Sequence, residues 1–248
     1  MSRPAVLVAV LAICLAVAGC GSDDEKDNPA QKSETNASQN QGDATQRTTT
    51  TVQGGESRCV KAARPRPKGS QKLPRPTLKL DEDKTHEAVM DTSCGRFTIT
   101  LDVKGAPKTS ASFVYLARGG FYDNLTFHRI VPGFVVQGGD PRGNGQGGPG
   151  YSVVEAPPRD ARYTKGVVAM AKTEIEDPGT SGSQFYVVTA DDAQLPPDYA
   201  VLGKVTAGLH VVERIGAVPT DQTNPDLALR DRPLSPVVIR SVTITEKK

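Results

Sequence analysis

Three stretches of this chain alternate apolar and polar residues with a period near two: RFTITLD at 96–102, FYVV at 185–188 and VVIRSVTIT at 237–245. Alternation of this kind sends successive side chains to opposite faces of a strand, so each stretch reads as a half-buried β-strand. Two other stretches have helical character. In APKTSASFVYLARGG, residues 106–120, Pro107 sits near the first turn and Gly119 ends it. In AGLHVVERIG, residues 207–216, Leu209, Val212 and Ile215 share one face and Gly216 stops the pattern. No segment repeats, and strands do not alternate with helices as a parallel sheet requires. Many short strands with one helix early and another late predict a mainly β fold. A closed antiparallel barrel is the expected form, because closure removes exposed strand edges.

Strand-like composition begins only near Leu78. From Gly21 to about Gly55 the chain is Asp, Asn, Gln, Ser and Thr, with TTTT at 48–51 and almost nothing apolar. Such a segment buries too little surface to offset its ordering entropy and is expected to be a disordered tether. About 55 residues of flexible chain have a root-mean-square reach of about 40 Å. Between Arg58 and Arg75 there are seven Lys or Arg and no acid, interspersed with Pro65, Pro67 and Pro74. This reads as a solvated, partly extended linker, with contact to an anionic surface as the alternative. The expected organisation is a leader at 1–19, a tether and linker at 20–75, and a folded domain at 76–248.

The leader carries an address. Arg3 precedes an apolar stretch from Pro4 to Ala18, too short to span a bilayer comfortably but of secretory h-region length. It ends in Val17-Ala18-Gly19-Cys20, which resembles a bacterial lipobox. That resemblance implies cleavage before Cys20, lipidation of Cys20 with palmitate-type acyl chains, and a mature chain held outside the cytoplasm on the bacterial cell membrane by lipid. An ordinary signal peptide with an incidental cysteine is the alternative. Of the four cysteines, Cys14 leaves with the leader and Cys20 is lipidated, so Cys59 and Cys94 remain. In an oxidising compartment they are candidates for a disulfide tying the tail to the domain; two free thiols are the other reading.

A formal net charge of +2 over 248 residues excludes a strongly basic nucleic-acid binder and an acidic solvating chain. The loop GGDPRGNGQGGPG at 138–150 lacks the lysine and hydroxyl residue of a phosphate-binding P-loop and is not followed by a helical pattern. His86, His128 and His210 have no paired-ligand spacing, so no metal is expected. Ser181 and Ser183 stand in GTSGSQ, which is not a nucleophile elbow.

What remains is a set of side chains suited to binding without covalent chemistry. FHRIVPGFVVQGGD (127–140), GVVAMA (166–171), SGSQFYV (181–187) and AVLGKV (200–205) follow one another in an order and spacing that resembles the cyclophilin family of peptidyl-prolyl isomerases. The resemblance runs from about Thr85 to the C-terminus. It implies an eight-stranded antiparallel barrel capped by two α-helices, a monomer that needs no cofactor, and proline-containing polypeptide segments as substrates. With the leader, those substrates are expected to be exported proteins.

The resemblance also assigns roles. An X-Pro amide interconverts slowly because resonance across its C–N bond sets a barrier of about 18–20 kcal/mol. In the twisted transition state the prolyl nitrogen regains a lone pair, and a guanidinium aimed at it binds that state better than either planar form. Arg129 is implied as that guanidinium, with Phe134 the floor of a proline slot, Val135 and Tyr186 its walls and Leu195 its far side. Gln137 is implied to hydrogen-bond a substrate carbonyl and Arg129. Ala171 and Lys172 resemble the strand edge that pairs with the substrate backbone, Gln184 lies nearby, and Gly138 and Gly139 would allow close backbone approach. His128 is expected to be structural. By itself Phe134 is by default barrel core and Arg129 by default a solvated charge; the joint occurrence with Gln137 and GSQF carries the argument. The chain departs from many eukaryotic relatives at Gln194 in place of tryptophan, Tyr199 in place of histidine, Tyr186 in place of phenylalanine and Lys172 in place of asparagine, which puts cyclosporin binding in doubt. A proline-binding chaperone or holdase with little turnover is the alternative function, disfavoured by the intact Arg129.

Overall fold

The structure, a computed structural model, describes residues 58–248. The leader, Cys20 and the tail up to residue 57 lie outside the described residues. In chain order the elements are β1 (Thr85–Thr92), β2 (Gly95–Leu101), α1 (Pro107–Arg118), β3 (Leu125–Phe127), β4 (Arg129–Val131), β5 (Val135–Gly138), β6 (Val153–Val154) and β7 (Val167–Met170). There follow β8 (Thr180–Ser181), β9 (Phe185–Val188), β10 (Val201–Ala207), α2 (Leu209–Gly216), a short α3 (Leu227–Arg230) and β11 (Val237–Lys247).

Among the described residues nine strands form one antiparallel sheet in the order β3-β11-β1-β2-β10-β7-β9-β5-β4, while β6 and β8 pair separately. The two ends of that order, β3 and β4, are consecutive in the chain and interrupted only by His128. Covalent continuity at His128 therefore draws the two edges of the sheet together into a nearly closed barrel. If β3 and β4 are counted as one bent strand, the eight strands expected from the resemblance are recovered. The remaining edge of β4 is also covered, because Ile130 N–H donates to the Asp231 carbonyl at 2.7 Å.

Inward-facing residues of the alternating strands make the core. Phe97, Ile99, Phe127, Ile130, Val136, Val168, Met170, Phe185 and Val187 are buried together with Phe113 of α1 and Val212 and Ile215 of α2. The ring of Phe185 meets Phe113, Tyr122 and Phe127 edge-on at centroid distances of 5.9, 5.9 and 6.0 Å, each contact worth about 0.5–1.5 kcal/mol beyond area burial. Both helices fall where the sequence places them. On α2 the buried face includes Val211 as well as Val212 and Ile215, while Leu209 is only partly buried, and the last helical residue is Gly216 with Ala217 as its C-cap.

Two expectations change. FYVV is not half-buried: all four residues of β9 are enclosed. Phe185 and Val187 face the barrel core, while Tyr186 and Val188 face a second apolar cluster on the outer side. Residues 58–75, read from the sequence as a solvated linker, lie against the barrel. Val60 N–H donates to Ser93 O at 2.7 Å, Lys68 N–H to Pro141 O at 2.8 Å and Leu73 N–H to Pro149 O at 2.8 Å. Cys59 is bonded to Cys94, and Leu73, Leu78 and Leu80 pack on the core. Pro65, Pro67 and Pro74 already confine this strap to extended conformations, which lowers the entropy lost on docking.

The bridge closes a 35-residue separation. Chain-entropy arithmetic for a loop of that length gives about 3–4 kcal/mol. The double variant Cys59→Ala/Cys94→Ala is expected to lose stability of that order in reversible urea unfolding, and the same loss is expected on reducing the wild type.

Candidate functional site

Strand register builds the site. Arg129 pairs with Gln137 across β4 and β5, Gln137 with Tyr186 across β5 and β9, and Tyr186 with Ala169 across β9 and β7. Period-two alternation then puts Arg129, Gln137 and Tyr186 in one row on the outer face, with Val135 and Val188 one step along. Phe134 enters from the tight turn between β4 and β5, where Gly133 takes a φ of 70° and Phe134 N–H donates to Val131 O at 3.0 Å. The carbonyl of Phe134 accepts from Thr189 N–H at 2.8 Å and Ala190 N–H at 3.2 Å, which pins the ring's backbone to the loop after β9. From the segment before β10 come Leu195 and Tyr199.

These residues enclose a hollow of about 150 Å³ lined by Arg129, Phe134, Val135, Gln137, Ala171, Lys172, Tyr186, Leu195 and Tyr199. Every implied catalytic and substrate-contacting residue except Gln184 lines it. Gln184 borders an adjoining cavity that shares Gln137, Ala171 and Lys172. Below the hollow, Tyr163 crosses the rings of Tyr186 and Tyr199 at centroid distances of 6.5 and 5.9 Å. Its hydroxyl donates to Tyr199 O at 2.7 Å and accepts from Tyr199 N–H at 3.0 Å. The Tyr186 hydroxyl is buried without a partner among the described residues, and burial pushes its pKa far up, so it stays neutral.

A polar chain runs along the rim. Arg129 Nε donates to Asp231 Oδ2 at 3.0 Å, and Arg129 Nη1 donates to Gln137 Oε1 at 3.5 Å. Gln137 Nε2 donates to Gln184 Oε1 at 3.0 Å, and Gln184 Nε2 donates to the carbonyls of Gly145 and Gly147, each at 2.9 Å. The Arg129 side chain is 40% exposed and that of Asp231 28%, so the ion pair contributes at most about 1 kcal/mol to stability. Its consequence is directional: the guanidinium plane is held at Nε and Nη1. Lys172 Nζ donates to Thr173 O and Glu176 O, both at 3.1 Å, and lies 5.6 Å from the Tyr199 ring centroid, folded onto the following loop.

Gly139 admits close backbone approach as expected, and the backbone that approaches is the chain's own. A Cβ on Gly139, whose φ is +84°, would stand 2.4 Å from Ser183 O, and one on Gly138 would stand 3.2 Å from the Phe127 ring. Both admit the chain's own packing. Ala171 N–H already donates to Gln184 O at 2.9 Å, which leaves the carbonyl side of that residue for strand pairing. Asp231 and Tyr163 were not anticipated. Asp231 lies in the turn-rich segment before β11, 102 residues from its partner, and no local pattern records that contact.

Residues 88–244 match the family model for cyclophilin type peptidyl-prolyl cis-trans isomerase/CLD. The chain belongs to the cyclophilin family. Among similar proteins, peptidyl-prolyl cis-trans isomerase CYP18-2 of Arabidopsis thaliana is 38% identical over 157 residues, covering 62% of this chain and 90% of that one. Peptidyl-prolyl cis-trans isomerase-like 1 of Emericella nidulans is 37% identical over 164 residues, covering 64% and 95%. The crystal structure of a Cryptosporidium parvum cyclophilin type isomerase superposes with a TM-score of 0.58 at 28% identity, covering 66% of this chain and 99% of that one. This cyclophilin is therefore a peptidyl-prolyl cis-trans isomerase.

Behind Arg129, His128 is buried with neither ring nitrogen partnered among the described residues. Burial lowers its pKa from 6.5 to about 4, opposed by the Asp140 carboxylate and reinforced by Arg129 and Arg232. The unfolded chain takes up this proton below pH 6.5 while the folded chain does not until about 4, so stability falls as pH drops through that window. Urea unfolding at about pH 7 and about pH 4.5 is expected to show a loss that is about 2–3 kcal/mol smaller in His128→Gln than in the wild type.

Proposed function

We propose that this cyclophilin catalyses X-Pro isomerisation in exported polypeptides, outside the cytoplasm and anchored by lipid at Cys20 to the bacterial cell membrane. The observation that carries the catalytic part is a guanidinium held at two of its nitrogens on the rim of an apolar hollow. A proline ring seated against Phe134, between Val135 and Tyr186 and under Leu195, is fixed while its acyl side turns. As the C–N bond twists, amide resonance is lost and the prolyl nitrogen becomes a hydrogen-bond acceptor. Arg129 donates to it in that state and has nothing equivalent to meet in either planar state. Stabilising the twisted form by about 7 kcal/mol accelerates exchange roughly 10⁵-fold. No bond is made or broken, so no nucleophile is needed.

Gln137 orients Arg129 and is placed to donate toward a substrate carbonyl, while the carbonyl edge at Ala171 and Lys172 receives the residues before proline. Lysine in place of Arg129 would lose direction, because an ammonium is a point charge whereas the fork is planar. Asp231 acts through Arg129 as a positioning residue. The compartment is supported by the apolar leader, by the lipobox resemblance ending at Cys20, and by the bridge between Cys59 and Cys94, since structural disulfides persist mainly in oxidising surroundings.

In a protease-coupled proline isomerisation assay, Arg129→Ala is expected to lower kcat/KM by about 10²–10³-fold. Phe134→Ala is expected to weaken substrate binding. Asp231→Asn should lower kcat several-fold at unchanged KM, with recovery in Asp231→Glu. A wild type no faster than Arg129→Ala would end the catalytic reading. Mass spectrometry of the natively exported protein is expected to find diacylglycerol on an N-terminal Cys20, and Cys20→Ala is expected to leave the membrane fraction.

A further inference from the structure

The strap has a second consequence, independent of the isomerase site. Its docking at Ser93, Pro141 and Pro149 carries Arg64 and Arg66 over the start of the glycine-rich loop, where they meet Arg142 of that loop and Arg232 of the segment before β11. The four arginines line a cavity of about 40 Å³ whose floor includes Thr126 and Gly143. That is room for roughly three water-sized spheres, the scale of a tetrahedral oxyanion.

Among the described residues none of these four guanidiniums takes part in a salt bridge. Arg64 makes one long hydrogen bond, from Nη2 to Pro233 O at 3.5 Å, and Arg142 makes one from Nη2 to Ser70 Oγ at 2.8 Å. Arg232 Nε is buried with no partner at all among the described residues. The carboxylate that also lines the cavity, Asp140, already accepts from the backbone N–H groups of Arg142 at 2.7 Å, Asn144 at 2.9 Å and Gly145 at 2.5 Å. Burial and the charge of Arg232 both hold the Arg64 pKa below its ordinary value. Four like charges gathered by the fold repel one another, and an unpartnered buried donor costs free energy. A bound dianion relieves both, and the planar fork of arginine matches the oxygens of a phosphoryl group two at a time.

We infer that the cavity beneath the strap, formed by Arg64, Arg66, Arg142 and Arg232, is a binding site for a phosphoryl group. Free phosphate and the headgroup of an anionic phospholipid present the same chemistry, and the test separates them. The full-length protein is titrated with inorganic phosphate by calorimetry. Separately, its tag-free form with Cys20→Ala is sedimented with phosphatidylglycerol-containing vesicles and with phosphatidylcholine vesicles alone. Arg64→Gln/Arg66→Gln is the test variant. Arg58→Gln/Lys61→Gln removes the same charge from the strap outside the cavity and is the control, and retained isomerase activity in both reports an intact barrel.

Saturable phosphate binding that weakens by about tenfold or more in the test variant and persists in the control supports the site. Vesicle binding with the same variant pattern, competed by phosphate, assigns the source to lipid; phosphate binding without vesicle binding assigns it to the free anion. Equal loss in test and control variants would reduce the effect to general charge and overturn the proposal. A wild type that binds neither probe overturns it as well.

Discussion

Antiparallel pairing of β4, β5, β9 and β7 is the constraint on which both the core and the site depend. Each of these strands is short; β5, β9 and β7 bury residues on both faces, while β4 buries Ile130 on one and leaves Arg129 and Val131 half-buried on the other. One face supplies Ile130, Val136, Val187 and Met170 to the barrel interior; the other supplies Arg129, Gln137 and Tyr186 to the outer cluster and the hollow. A slip of one residue in the β4–β5 register would exchange Ile130 with Arg129, burying a guanidinium and exposing the core at once. The functional row is thus held in place by the same alternation that keeps the barrel folded.

Around that row, precision comes from polar contacts of long sequence separation. Asp231 reaches Arg129 across 102 residues, and Gln184 reaches Gln137 across 47. The Glu155 carboxylate caps α1 from 46 and 47 residues away, accepting from Thr109 N–H at 2.9 Å and Lys108 N–H at 3.1 Å, where Ala106 offers no side-chain cap of its own. None of these contacts is individually large in free energy at partly exposed sites. They matter because an arginine that must meet a nitrogen only in a twisted geometry depends on direction more than on attraction.

The strap extends the folded unit without enlarging its core. A basic, proline-rich segment has little apolar surface to bury, and here a disulfide, three backbone hydrogen bonds and Leu73 hold it down in place of an amphipathic face. The glycine-rich loop beneath it is organised from inside by Asp140, whose oxygens take the backbone N–H groups that a phosphate would occupy in a P-loop. The positive charge around the cavity comes from side chains of three segments: Arg64 and Arg66 of the strap, Arg142 of the loop and Arg232 before β11.

By itself the sequence determined what depends on neighbours along the chain: period-two runs for the strands, Pro107 and Gly119 for the ends of α1, and the ordered motifs that carry Arg129, Phe134, Gln137 and Tyr186. Those residues were legible through the resemblance of the ordered motifs to the cyclophilin family; periodicity alone would not have picked them out, since Phe134 lies in the turn between β4 and β5. The meeting of β3 and β4 at His128, the enclosure of β9 on both faces, the clamp from Asp231, the cap from Glu155 and the docking of residues 58–75 were decided only by tertiary structure. Each joins groups far apart in the chain, and composition in the window around Arg64 or Asp231 looks the same whether such a residue faces water or a partner. Tertiary closure supplies the partner, and with it the difference between a solvated arginine and an aimed one.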